Sequence, residues 1–164
     1  MNCKEYLEIF TRRIEPYYDI KETKTPLPFS LQAELHASDE GYFLVRNLKT
    51  YSMQHHEYIY VVTITQTLTM EIVNPYLDYI KNIMINLKTT TEHMNSLFSL
   101  VLLCTEGCDP LIQTSLCKLK YSKNYCFSLK GWSDLAIYLI NFPLQKIYCN
   151  KIGKKNLKLY SFLN

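Results

Sequence analysis

KLKYSKNYCFSLKGWSDLAIYLINF, residues Lys118–Phe142, decides the fold of this 164-residue chain. Two apolar-rich runs flank Lys130-Gly131, and the only tryptophan, Trp132, follows at once. In the first run the odd positions Leu119, Tyr121, Tyr125, Phe127 and Leu129 are apolar, with Lys123 the exception. The even positions Lys118, Lys120, Ser122, Asn124, Cys126, Ser128 and Lys130 are mostly polar. Period-2 alternation is the mark of a strand with one wet face. The second run, Trp132–Phe142, is apolar on both parities and belongs deeper. The stretch therefore reads as a β-hairpin with a lysine-lined face. Lys123, on the apolar parity, should mark a sheet edge, a bulge or a site.

Outward from the hairpin the same tests place the other elements. Tyr6, Leu7, Phe10 and Ile14 form a helical stripe over 2–14, with Asn2 and Glu5 as a capping box and Pro16 beyond. Residues 17–28 are an extended connector. Phe29–Ala37 alternates as a strand, Ser38-Asp39-Glu40-Gly41 is a turn cluster, Tyr42–Arg46 returns, and His56–Thr65 is a third strand of a meander. A helix begins at Asn74-Pro75, or a turn earlier near Thr69, and carries Leu77, Ile80, Met84 and Leu87. Leu97–Cys104 is apolar on both faces and belongs inside the sheet. Asp109-Pro110 starts a short helix to about Cys117. Lys146–Cys149 is a last strand, and Lys154 to about Tyr160 a basic helix. The expected fold is α/β or α+β: one domain over 1–164, with a single mixed, mainly antiparallel sheet of six or seven strands and three or four helices.

Charge divides the chain. Residues 1–117 hold nine Lys/Arg and fourteen Asp/Glu, net −5, whereas 118–164 hold nine Lys and Asp134, net +8. Such a split fits an anionic partner, or two halves of one domain that attract each other. Fourteen tyrosines suit half-buried sheet surfaces or an interface. The opening MNCKEYLEIF lacks a signal-peptide pattern and no apolar run reaches membrane-span length, which places the chain in a reducing cytoplasm. There the six cysteines are free thiols rather than disulfides, and only Cys104-x₃-Cys108 approaches zinc-ligand spacing.

Candidate chemistry is sparse. In His55-His56-Glu57, strand geometry gives His55 and Glu57 one face and His56 the other, so two rather than three could meet one metal; the expectation is no metal and no cofactor. Glu92-His93, just before an inner strand, is a candidate carboxylate-oriented base. Helix, three strands, helix, strand is also the core order of restriction-endonuclease-like proteins. There Asp39 or Glu40 would join Glu57 at a metal, but Ile59 stands where a lysine is needed. No phosphate-loop, dinucleotide, zincin or nucleophile-elbow motif is present.

Tyr42-Phe43-Leu44, Glu92-His93-Met94, Lys120-Tyr121-Ser122-Lys123-Asn124-Tyr125, Gly131-Trp132 and Asn150-Lys151-x-Gly153-Lys154 give the chain a further likeness. It resembles a family of small uncharacterised cytoplasmic proteins from anaerobic low-GC Gram-positive bacteria. The resemblance implies location and a single domain, and carries no activity or catalytic residue. Three functional expectations follow. The first is a non-enzymatic binding domain that meets an anionic ligand or nucleic acid through Lys118, Lys120, Lys123, Lys130, Trp132 and the basic C-terminus, with no membrane partner. The second is a metal-dependent hydrolase using Glu57 with Asp39 or Glu40, or one using Glu92 and His93. The third is a homodimer with a tyrosine-rich interface.

Overall fold

The computed structural model describes residues 1–22, 24–42 and 49–162, with side chains described outside 38–42 and 49–53. The elements follow as α1 (Cys3–Ile14), β1 (Asp19–Lys21), β2 (Leu31–Tyr42), β3 (Lys49–Ile64), α2 (Met70–Asn86), β4 (His93–Cys104), α3 (Pro110–Lys118), β5 (Ser122–Asn124), β6 (Trp132–Asn141), β7 (Lys146–Cys149) and a 3₁₀ segment, Gly153–Tyr160. The strands join one mixed sheet in the order β1-β2-β3-β4-β6-β5, with β7 also on β6. β3, β4 and β6 run parallel; the other pairings are antiparallel. This is the α+β architecture with a mixed sheet that the sequence pattern predicts.

Two parallel crossovers in the same direction put α2 and α3 on one face of the sheet. There Val73, Leu77, Ile80 and Met84 of α2 and Leu116 of α3 pack on Val62, Phe98, Leu100, Leu102, Leu135 and Ile137. Burying each such side chain contributes roughly 1.5–3 kcal/mol. The opposite face is covered by Tyr6, Phe10 and Ile14 of α1 together with Tyr160, on Ile59, Val61, Val101, Leu103, Ala136 and Tyr138. β4, paired in parallel on both sides, is half-covered at its start and buried from Phe98 to Cys104, Ser99 included.

α1 is capped as its sequence requires: Asn2 Oδ1 accepts from Glu5 N at 2.9 Å. Asp109 caps α3 by accepting from Leu111 N at 2.7 Å. α2 takes the earlier of its two starts, at Thr69, leaving Pro75 inside the helix, because the added turn buries Val73.

Four expectations are corrected. Ser38-Asp39-Glu40-Gly41 is not a turn: β2 continues through it to Tyr42, opposite Lys49–Gln54 of β3. The first strand of the meander is instead Asp19–Lys21, within the expected connector; of the predicted return strand Tyr42–Arg46, Tyr42 is the last residue of β2 and 43–46 lie outside the described residues. The hairpin turns at Cys126–Leu129, not at Lys130-Gly131. Tyr125 N donates to Gly131 O at 3.0 Å and Lys130 N to Tyr125 O at 3.2 Å, closing that four-residue loop. Cys126, Phe127 and Ser128 all have positive φ (48°, 55° and 69°), so alternation ends at Tyr125, and Phe127 and Leu129 are 101% and 81% exposed instead of in the core. The continuous lysine face therefore dissolves. Lys118 ends α3, Lys120 follows it, Lys123 lies on the edge strand β5 opposite Ser133, and Lys130 closes the turn. Many of the tyrosines belong to the core of the chain. Of the twelve whose side chains are described, six are buried and only Tyr17 is exposed.

Candidate functional site

Parallel register builds a polar patch at the starting ends of β4 and β6. Glu57, Leu97 and Asp134 are level across β3, β4 and β6, and His55, Asn95 and Trp132 form the next row. Adjacent strands lie about 4.8 Å apart, which puts the Glu57 and Asp134 backbones about 10 Å from one another with Leu97 between. Odd positions of β3 face α1, as Ile59 and Val61 do, so His55 and Glu57 share that face. The expected split of the His55-His56-Glu57 triplet is what the strand produces.

Over this patch the chain from Lys151 to Asn156 forms a wall. The result is a cleft of about 470 Å³ lined by His55, Glu57, Asn95, Asp134, Lys151 and Lys155, among others. Each acidic group is already held. Tyr18 donates its phenol hydrogen to Glu57 Oε2 at 2.5 Å. Burial, then that bond and the Glu57 charge, push the Tyr18 pKa up, keeping it a donor. Trp132 Nε1 donates to Asp134 Oδ2 at 3.1 Å and Ser122 Oγ to Asp134 Oδ1. His55 Nδ1 donates to Asn95 Oδ1 at 2.5 Å, which sets its tautomer. Among the described residues neither Lys151 nor Lys155 is in an ion pair.

Asn150 fixes that wall. Its Oδ1 accepts from Ile137 N (3.1 Å) and Gly153 N (3.0 Å), and its Nδ2 donates to Leu135 O (2.9 Å) and Leu119 O (3.1 Å). Gly153 sits where an added Cβ would stand 3.0 Å from the Tyr138 ring. The Asn150-Lys151-x-Gly153-Lys154 pattern is thus a hub, a cleft lysine and a close-packed turn. The pattern carries no role readable from sequence, because the partners of Asn150 are up to 31 residues away.

The other sequence candidates fall elsewhere. Glu92 does not orient His93. His93 Nδ1 donates to Lys130 O at 2.7 Å and Nε2 accepts from Ser96 Oγ at 2.8 Å, so both nitrogens of this buried ring are taken, and Glu92 bonds Gln54 instead. Glu57 faces Leu35 across β2, not a carboxylate. Asp39 pairs with Met53, four residues from Glu57, which is about 13 Å along a strand; the side chains of Asp39 and Glu40 lie outside those described. Lys118, Lys120, Lys123 and Lys130 do not line the cleft, whereas Asp134, which the sequence reading counted only as a charge, does. Among the described residues no group of three His, Cys, Asp or Glu side chains is placed to hold a metal. All six cysteines are free thiols, and no helix among the described residues is long and apolar enough to cross a membrane.

Neither the curated proteins nor the solved structures include a match to this chain. A family model does match, over residues 2–162, and the chain belongs to the family described as Domain of unknown function (DUF8052).

Proposed function

We propose that this chain is a cytoplasmic, non-enzymatic binding domain whose cleft takes a small polar molecule bearing an anionic group. The observation that carries the reading is the shared cleft: Lys151 and Lys155, out of any ion pair among the described residues, line it with Glu57 and Asp134. An anionic group would meet the two ammonium groups, while hydroxyl or amine hydrogens would meet the carboxylates. A cleft of this volume suits a small ligand rather than a duplex. The reading moves the basic surface from the hairpin to the C-terminal segment. Binding rather than catalysis is favoured by the carboxylates, each already held by fixed donors from Tyr18, Ser122 and Trp132. The cytoplasmic assignment draws on the six free thiols and on the resemblance to small proteins of anaerobic low-GC Gram-positive bacteria.

A thermal-shift screen of small carboxylates and phosphates tests it. A hit should bind at least tenfold more weakly to the Lys151→Glu, Lys155→Glu double variant and unchanged to Lys118→Glu, Lys120→Glu. The opposite pattern would return the site to the hairpin and sink the cleft reading.

A further inference from the structure

The opposite face of the same sheet end holds a second cluster, which shares His56 with the lining of the cleft. β2 and β3 place His36 directly opposite His56. Their Nδ1 atoms face one another at 2.8 Å. One of these nitrogens donates its hydrogen and the other accepts it, and moving that hydrogen to the donor ring's Nε2 leaves a lone pair on each Nδ1. The His56 ring stacks on His93 at 5.8 Å between centroids, and its tilt is fixed by that neighbour and by Tyr58. On the far side of His36, Nε2 lies 3.5 Å from Glu34 Oε1, which Lys21 holds at 2.6 Å. A hollow of about 220 Å³ opens over the pair, walled by Gln54, Tyr58 and His93 and by the Leu87–Thr90 segment, whose Lys88 is the one cationic side chain at its rim.

We infer that His36 and His56 form a two-histidine site for a divalent transition-metal ion of the nickel or copper type, with its remaining positions open to the hollow. Imidazole–metal bonds are about 2.0–2.1 Å, so nitrogens 2.8 Å apart subtend about 86° at the metal. That is the cis angle of square-planar or octahedral coordination, whereas a tetrahedral ion needs nitrogens about 3.3 Å apart. When the metal takes both Nδ1 lone pairs, each ring carries its hydrogen on Nε2. For His36 that hydrogen points to Glu34, the carboxylate–histidine–metal relay that orients metal-bound imidazoles. Two protein ligands leave the other positions to water or to a bound molecule.

Calorimetric titration of the untagged full-length chain with Ni²⁺ alone tests the site. One ion per chain should bind, weakened at least tenfold in His36→Ala and equally in His56→Ala. Cys126→Ser, which removes an exposed thiol on the hairpin turn, should bind as the parent does. If an alanine variant does not fold, His36→Gln and His56→Gln give the same reading, since both positions reach solvent. Binding that survives loss of either histidine, or no binding at millimolar Ni²⁺, overturns the assignment.

Discussion

Asn150 and Ile137 hold each other as two strands would: Asn150 N donates to Ile137 O at 3.1 Å, and Ile137 N donates to Asn150 Oδ1 at 3.1 Å. A side chain thus stands in for backbone beyond the end of β7, and its amide also ties in Leu119, Leu135 and Gly153. Asn150→Ala leaves two N–H groups and two carbonyls without these partners in a site with no exposure. A loss of about 3–5 kcal/mol is expected. Because Lys151 and Lys155 follow directly, ligand binding in the cleft should weaken as well. Urea unfolding of the variant checks the first part, and a loss under about 1 kcal/mol would contradict it.

Gly131 closes the hairpin against β4. An added Cβ there would stand 2.0 Å from Met94 O and 2.8 Å from His93 O, at φ +74°. Backbone cannot withdraw as a flexible side chain does, so Gly131→Ala should cost about 3 kcal/mol or more. Gly107, at φ +83°, is the control. Its nearest neighbours would be 3.8 Å away, so Gly107→Ala carries only the left-handed backbone cost of about 1–2 kcal/mol. Equal losses in the two variants, measured by denaturant unfolding, would refute the close-approach account.

How far the sequence was readable follows from where the determining contacts lie. The capping box of α1, the Asp109 cap of α3, the inner strand β4 and the 3.6-residue stripe of α1 are local patterns, and each was legible. β2 ran past its turn-like residues because pairing with β3 overrode local preference. The hairpin was misread for a similar reason: Phe127 and Leu129 keep the parity of a strand while three left-handed residues turn the chain. The cleft was legible only in pieces, as Glu57 with its neighbouring histidines and as a basic C-terminus, and not as one site. Glu57, Asn95, Asp134 and Lys151 come from four elements, and only parallel register and the Asn150 hub bring them together.

The hairpin tip gives a direct test of that correction. Phe127 is 101% exposed, so Phe127→Ser should change stability by no more than about 0.5 kcal/mol. Tyr125 is buried, and its hydroxyl donates to Met84 O at 2.7 Å while sharing a 2.6 Å bond with Ser133 Oγ. Tyr125→Phe should cost about 1–2 kcal/mol by stranding those groups. A Phe127→Ser variant that unfolds more readily than Tyr125→Phe would restore the core reading of the odd positions.

Acid should destabilise the protein in two separate ranges. Burial holds the His56 pKa below its ordinary 6.5, and positive charge on His36, His93 and His55 lowers it further, against a smaller upward pull from the Glu34 carboxylate. With the folded value depressed, the unfolded chain takes up the proton first. Stability is therefore unaffected above pH 6.5 and falls as pH drops below it, by at most about 1.4 kcal/mol per pH unit and less for a ring partly open to solvent. Glu34 acts lower down. Burial alone would raise its pKa, but the Lys21 hydrogen bond and charge, with His36, outweigh that and hold it below its ordinary 4.5. Its contribution is present above pH 4.5 and is lost as pH falls through the folded value. Denaturant unfolding between pH 8 and pH 4 should therefore show a decline that begins near 6.5 and a second near 4.5. His56→Gln should flatten the upper decline and leave the lower, and Lys21→Ala should do the reverse. If His56→Gln leaves the upper decline in place, the histidine cluster is not its source.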